Sequence, residues 1–419
     1  MLNWADQFNI CCFLDNHQYQ FSPHTVECLL AVGAAHNLEC NAGRAFQALR
    51  EFSSMHNDWM FGHFSYDLKN ELEDLSSHNF DGVVFPDLHF FVPEIILRIE
   101  LDRVSIGSLT NDAVSIFNEI QNYSSLAEER YLENIHIKQR ISKSDYLDII
   151  HSLKNHIQRG DCYEINFCQE FFAERINLNP LVVYNNLVQI SPNPFSGYYR
   201  LNKRHLMCAS PERYLKKDGN RVLSQPMKGT VERRKYDWAD EMRKKDLLNS
   251  LKERTENVMI VDLVRNDLSR VCIEGSVNVQ ELFGVYAFPQ VYQMISTVVG
   301  KLRSDCDWID AIRSTFPMGS MTGAPKKRVM ELIEQYEQSR RGIFSGAIGY
   351  VTPEADFDFN VVIRSIMFNQ DTNYLSYQAG SAITIQSTAE KEYEECLLKV
   401  EAIKKVLTRS VSQHFQKRC

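Results

Sequence analysis

Apolar residues recur at helical spacing in DYLDIIHSLKNHIQ, and the pattern predicts a helix that stops at Gly160. The period then changes. INFCQEFF, FSGYYRL, HLMCAS and RVLSQP are short, rich in β-branched or aromatic residues and separated by turn chemistry such as LKKDGNR, so they read as an antiparallel meander. Residues 240–268 read as helix, and residues 308–336 as helices on either side of FPMGSMTGAPKK. SGAIGYV, FNVVIRSIMF and YLSYQAGSAI read as strands. The stretch STAEKEYEECLLKVEAIKKVL, with Ser387 and Glu390 at capping-box spacing, reads as one helix. Upstream, residues 1–135 mix short apolar runs (VVF at 83–85, HFFV at 89–92, EIILRIEL at 94–101) with polar pieces of helical pattern. The charged, glycine-free NYSSLAEERYLEN places a boundary near residue 138, which divides the chain into 1–138, 139–410 and a tail, 411–419. Strands in runs with interspersed helices point to an α+β fold of antiparallel sheets covered by helices.

Composition narrows the class. With 419 residues, 44% hydrophobic and 24% charged, the chain can bury a large core, which excludes disordered, collagen-like and coiled-coil classes. Its 46 basic and 54 acidic side chains give a net charge of −8, so nothing advertises nucleic acid or an anionic membrane as a partner. The stretch LHFFVPEIILRI is cut by Pro93 and Glu94 and is too short to span a bilayer. MLNWADQFNICCFL has neither a basic leader nor a small-residue cleavage site, so the cytoplasm is the expected compartment. Eleven cysteines, odd in number and without a CxxC pair, read as reduced thiols.

Several side chains could carry chemistry. In KERTENVMIVDLVRND, steps of three and four put Glu253, Glu256, Ile260, Val264 and Asp267 on one helical face. Glu392, Glu395 and Lys399 share a face of the last helix, beside Tyr393, Val400 and Leu407. Either glutamate pair alone reads as the wet edge of an apolar stripe; both facing one cavity would make an all-oxygen site suited to Mg²⁺. A hairpin turning at Asp218-Gly219 would set Glu212 opposite about Gln225, with Lys228 about 10 Å further along the strand. Lys228 reads either as a surface lysine or as a side chain constrained by Pro226-Met227 and Gly229-Thr230. GSMTGAPKK, residues 319–327, has small residues that permit close approach to a ligand and Pro325 suited to a first turn, like an anion-binding helix start, but it lacks the ending of a Walker loop.

In order, GDCYEINFCQEF, SPERYL, QPMKGTVER, ERTENVMIVDLVRNDLSRV, FPMGSMTGAPKKRVMELI, SGAIGY, VVIRSI, QAGSAI and EKEYEECLLK make residues 140–410 resemble the chorismate-utilising enzymes, specifically the aminodeoxychorismate synthase component I branch. The first 135 residues match diffusely. The resemblance implies one large sandwich of antiparallel sheets covered by helices. It implies Glu256 and Glu395 as direct Mg²⁺ ligands and Glu253 and Glu392 as the outer pair holding the ion's waters. Arg364 and Tyr350 would clamp the enolpyruvyl carboxylate. Glu212 would be the acid that protonates the departing 4-hydroxyl, and Thr322, Gly323, Gly380, Ser381, Ala382 and Lys399 would line the pocket.

Lys228 falls where anthranilate-forming relatives usually have alanine, in a PIAGT motif. The resemblance implies that its amine attacks ring C2, giving an adduct that ammonia displaces at C4. The product would be 4-amino-4-deoxychorismate, on the way to 4-aminobenzoate and folate. Ammonia would come from a glutamine amidotransferase subunit, component II. Nearby Mg²⁺ and Arg364 would favour a neutral Lys228 amine, which pairs naturally with a protonated Glu212. Three positions depart from the family pattern: Gln293 stands where relatives commonly have histidine, Ala382 replaces a glycine, and Glu164 replaces a frequent glutamine. The competing readings are anthranilate synthase component I, which Lys228 opposes, and isochorismate or salicylate synthases, which generally have lysine at the Glu164 position. A third is a binding protein that has lost its chemistry.

Overall fold

Neighbouring residues of the strand Ile10–Asp15 are buried on opposite faces: Cys12 joins one apolar core, Cys11 and Phe13 another. Tyr199 and Tyr198 divide in the same way, as do Leu206 and Met207, because successive side chains of a strand point to opposite sides. A sheet with two apolar faces needs two covering layers. The computed structural model, which describes residues 1–19, 26–100, 103–123, 135–233, 237–288 and 291–408, supplies both. A second sheet packs on one face, and helices Pro180–Ile190 and Glu401–Thr408 pack on the other. Among the described residues the sheets have 11 and 10 strands, joined in antiparallel ladders. The expected α+β sandwich of antiparallel sheets covered by helices is the observed fold.

Residues before 138 are woven into both sheets. Ile10–Asp15 lies between Cys28–Val32 and Phe195–Leu201, and Met60–Phe64 between Leu88–Val92 and Ala347–Val351. The boundary segment at 124–134 and the tail 411–419 lie outside the described residues. The ten described cysteines are free, and no described helix is long and apolar enough to cross a membrane.

Several elements differ from the pattern reading. Lys143–Arg159 ends at Gly160, in the left-handed conformation, as predicted. Residues 240–268 instead divide into Asp237–Asn249 and Leu251–Ser269, because Ser250 caps the second helix by accepting the Glu253 N–H. FNVVIRSIMF divides into Phe357–Val361 in the second sheet and Ser365–Asn369 in the first, with Arg364 at φ +53° between them. The last helix breaks at Val400 into Ala389–Lys399 and Glu401–Thr408, and its N-cap is Thr388. The Ser387 hydroxyl instead accepts the Thr384 N–H at 3.1 Å, so the capping box does not form. The hairpin of Arg213–Asp218 and Arg221–Ser224 turns at Gly219-Asn220, and Lys216 opposes Leu223. Continued, that register sets Glu212 level with Met227 rather than Gln225.

Between the sheets lies a polar chain whose protons can be assigned. His63 Nε2 donates to the Pro86 carbonyl at 2.9 Å, so its Nδ1 accepts the Tyr199 hydroxyl proton at 3.2 Å. Tyr199 Oη in turn accepts from His89 Nδ1–H at 2.5 Å, which leaves His89 Nε2 buried without a partner. Both rings are neutral. Burial pushes His63 down to about 4 and His89 to about 3, from 6.5. Because the folded values lie below the unfolded one, this stabilisation is complete above pH 6.5 and is lost as pH falls toward 4, by about 1.4 kcal/mol per pH unit for each ring. Urea midpoints measured from pH 7 to pH 4.5 should therefore fall, and His89→Leu should flatten the slope.

Candidate active site

The strand Met227–Glu232 sets Lys228 opposite Met294 and Thr230 opposite Gln293, so Gly229 is an extra residue in the ladder. Its φ of +82° suits glycine, and a Cβ there would come within 3.0 Å of Glu253 Oε2. The bulge re-aims the side chain before it. Lys228 enters a cavity of about 1150 Å³, where its Nζ donates to Glu164 Oε1 at 2.7 Å. Glu164 is 1% exposed, and its other oxygen has no partner. Its backbone is held by the short pairing of Glu164–Ile165 with Gly323–Ala324. A Cβ on Gly323 would lie 2.1 Å from the Glu164 carbonyl oxygen, so only glycine permits this approach.

Glu212, Gln293, Arg364, Gly380, Ala382 and Lys399 line the same cavity. Arg364 sits at the crossover between the sheets, where its left-handed backbone costs on the order of 1 kcal/mol. No described side chain gives its guanidinium a hydrogen bond or an ion pair. Burial lowers it to about 10, Glu395 opposing the shift. Glu212, 4% exposed, is raised by burial to about 7 and so is partly protonated at neutral pH. Gln293 is 3% exposed, with its Oε1 buried and unpartnered.

Four expected positions fall elsewhere. Tyr350 packs against Trp59 and Phe61, with ring centroids 5.6 and 6.1 Å away, and does not line this cavity; Phe344, six residues earlier, does. Thr322 is buried behind the wall, donating to the Met318 carbonyl at 3.2 Å, and Gly323 shapes the wall through Glu164. Ser320 and Met321 are the lining residues of that segment. Ser381 alternates away from Gly380 and Ala382 and is buried behind the wall. Pro325 caps Lys326–Tyr336, and Lys326 donates to Asp267 at 2.6 Å, so the lysine beside the expected anion-binding start is already paired. Asp267 thereby ties that helix to Leu251–Ser269.

The expectation of a neutral Lys228 amine counted Mg²⁺ beside it and left out Glu164. Burial alone would lower the lysine, but Glu164, with Glu256 and Glu395 behind, holds the ammonium well above its ordinary range. The family departure at Glu164 was visible in the sequence; its contact with Lys228 was not.

The helix Leu251–Ser269 brings Glu253 and Glu256 to the cavity, and Ala389–Lys399 brings Glu395. Glu392, 1% exposed, lies just behind. Burial raises Glu256 to about 7 and raises Glu253 as well. Glu395, with 41% of its side chain exposed, is drawn below the ordinary range by Lys399, 2.8 Å away, against the partial desolvation that would raise it. Lys399 also donates to the Gly380 carbonyl at 2.9 Å. Between the helices stands Lys252, 3.3 Å from Glu392 Oε1 and 3.8 Å from Glu256 Oε1. Pattern reading passed over it, although it precedes Glu256 by one helical turn. Among the described residues no three acidic, histidine or cysteine side chains converge closely enough to hold a metal as they stand. The donor set nevertheless fits a hard divalent cation: every donor is a carboxylate oxygen, and Glu256 Oε1 and Glu392 Oε2 are buried without hydrogen-bond partners.

Comparison with known proteins places this geometry. Aminodeoxychorismate synthase component 1 of Escherichia coli (strain K12) is 33% identical over 349 residues, covering 83% of this chain and 76% of that protein. The chloroplastic aminodeoxychorismate synthase of Arabidopsis thaliana is 36% identical over 307 residues, 73% of this chain; the match spans only 32% of that longer protein. Among solved structures, anthranilate synthase component I from Streptococcus pneumoniae TIGR4 superposes with a TM-score of 0.80 at 25% identity, over 94% of this chain and 95% of that one. The sequence matches the chorismate binding enzyme family from residue 11 to residue 405, nearly the whole two-sheet sandwich and every side chain of the cavity described above, and the chain therefore belongs to the chorismate binding enzymes.

Proposed function

We propose that the protein is the synthase component that aminates chorismate at C4, giving 4-amino-4-deoxychorismate. The observation that carries this reading is the buried Lys228 Nζ at the cavity wall, 2.7 Å from a carboxylate and in the same pocket as the raised carboxyl of Glu212. Arg364, free of internal partners, suits a substrate carboxylate. Glu164, which accepts a hydrogen bond from Lys228, would take the proton that the ammonium must lose. The freed amine would attack ring C2 while Glu212 protonates the 4-hydroxyl, which leaves as water. Ammonia would then bond to C4 as the lysine amine leaves C2, the lysine regaining its proton from Glu164 and Glu212 regaining its own from the new C4 ammonium. Chorismate and ammonia thus give aminodeoxychorismate and water.

Glu256 and Glu395 would hold Mg²⁺, with Glu253 and Glu392 behind them. When bound, the ion would supply the divalent charge that a second substrate carboxylate needs in this acidic wall. Ammonia would be delivered by a glutamine amidotransferase subunit. The free cysteines support a reducing compartment, the cytoplasm. Incubation of the pure chain with chorismate, Mg²⁺ and ammonium should yield a product aminated at C4; anthranilate instead would establish the component I function of the Streptococcus relative. Glutamine should not replace ammonium until a partner is added, and turnover with ammonium should rise with pH as NH₃ becomes available. Glutamine hydrolysis by the single chain would refute this nitrogen route.

A further inference from the structure

Two helices carry a glutamate pair each, Glu253 with Glu256 and Glu392 with Glu395, at one end of the cavity, and a lysine stands between the helices. Lys252 Nζ reaches Glu392 Oε1 at 3.3 Å on Ala389–Lys399 and Glu256 Oε1 at 3.8 Å on its own helix. Its side chain is 37% exposed, whereas those of Glu392 and Glu256 are 2% and 8% exposed, so the ammonium closes the acidic pair from the solvent side. Glu392 Oε2 has no hydrogen-bond partner, and neither has Glu256 Oε1, which Lys252 reaches only at ion-pair distance. Without a cation here, the two helices would face each other through buried like charges, an arrangement that opposes packing.

We infer that Lys252 is a resident counter-cation: its ammonium joins the two glutamate helices when the metal is absent and withdraws toward solvent when Mg²⁺ binds. The inference rests on the Mg²⁺ assignment proposed above. A long, flexible side chain with an exposed root can make that exchange without moving the backbone. The metal then displaces an internal ion pair instead of entering a preformed hole. The protein can keep both helices packed before metal arrives, at the expense of affinity for the metal. Lys252 is a positioning residue, because it touches the ligands and not the substrate.

Lys252→Gln, Lys252→Arg and, as a control of equal charge change, Lys391→Gln test this. Lys391 is exposed at the cavity mouth on the same helix as Glu392. Melting temperatures are read in EDTA and in saturating Mg²⁺, and Mg²⁺ affinity by calorimetry. Lys252→Gln should melt below wild type in EDTA, close most of that gap in Mg²⁺, and bind Mg²⁺ roughly tenfold more tightly, the size of one charged hydrogen bond no longer displaced. Lys252→Arg should restore the melting temperature in EDTA, and Lys391→Gln should change little. An equal gap in EDTA and Mg²⁺ would make Lys252 a plain structural residue, and equal effects from Lys391→Gln would reduce it to general field; either result overturns the inference. A wild type that neither binds Mg²⁺ nor melts higher in it would instead overturn the metal assignment, and the exchange with it.

Discussion

Alanine at Glu256 or Glu395 is expected to lower chorismate turnover by about 10³-fold or more, to the background of the assay. Each substitution removes one of the two carboxylates proposed to hold a divalent charge and would leave the others facing a substrate carboxylate, so that repulsion replaces attraction. The fold should survive. Glu256 titrates near 7 in the folded chain against an ordinary 4.5, so the folded state binds its proton more tightly than the unfolded chain does. Its ionised form therefore costs stability as pH rises from 4.5, and the cost is complete above about 7. In EDTA at pH 8, Glu256→Gln should melt no lower than wild type while remaining inactive, the pattern of a group kept for function at some expense to the fold. Full turnover in excess EDTA, or from Glu256→Ala, would end the metal assignment.

Lys228→Ala should slow aminodeoxychorismate formation by roughly 10²-fold or more, because no other lysine in the cavity occupies the bulge beside Glu164. Rate should fall while chorismate affinity stays within a few-fold, since Arg364 and the carboxylate helices are untouched. The single variant strands Glu164, buried and unpaired, so lower stability is expected at neutral pH. Glu164→Gln in the same chain should recover stability without recovering rate, separating chemistry from folding. Wild type quenched with chorismate and without ammonia should show an adduct by intact mass that maps to Lys228. The alanine recreates the motif of the anthranilate-forming relatives, so its product is also examined for amination at C2. If no adduct appears and Lys228→Ala works at the wild-type rate, the preference for C4 amination loses its main support.

What the sequence reveals of the site is its local spacing. Glu253 with Glu256 and Glu392 with Glu395 are legible because three-residue steps define a helical face; their sharing of one cavity is tertiary and carries no local signal. Lys228 stood out by its glycine and proline neighbours, and the bulge at Gly229 is the backbone form of that constraint. FNVVIRSIMF misled because both halves are buried and the crossover from one sheet to the other is marked only by Arg364-Ser365, with no glycine or proline to announce a break. Phe344 was missed for a related reason: an apolar side chain that lines a cavity has the same sequence pattern as one that fills a core. The Glu164–Lys228 pair joins positions 64 residues apart on strands of different sheets, so only the packing of one sheet against the other brings them together.

The weaving of the first 138 residues into both sheets fixes when the molecule can be completed. Phe61 finds its ladder partner at Tyr350 and Phe13 at Tyr198, so the earliest strands emerge from the ribosome long before the segments that will hold them. At translation rates of 5–20 residues per second, Met60–Phe64 waits roughly 15–60 s for Ala347–Val351, with that edge open throughout. Folding is thereby postponed to nearly the end of synthesis, and the nascent chain is the stage at which aggregation and chaperones compete for this protein.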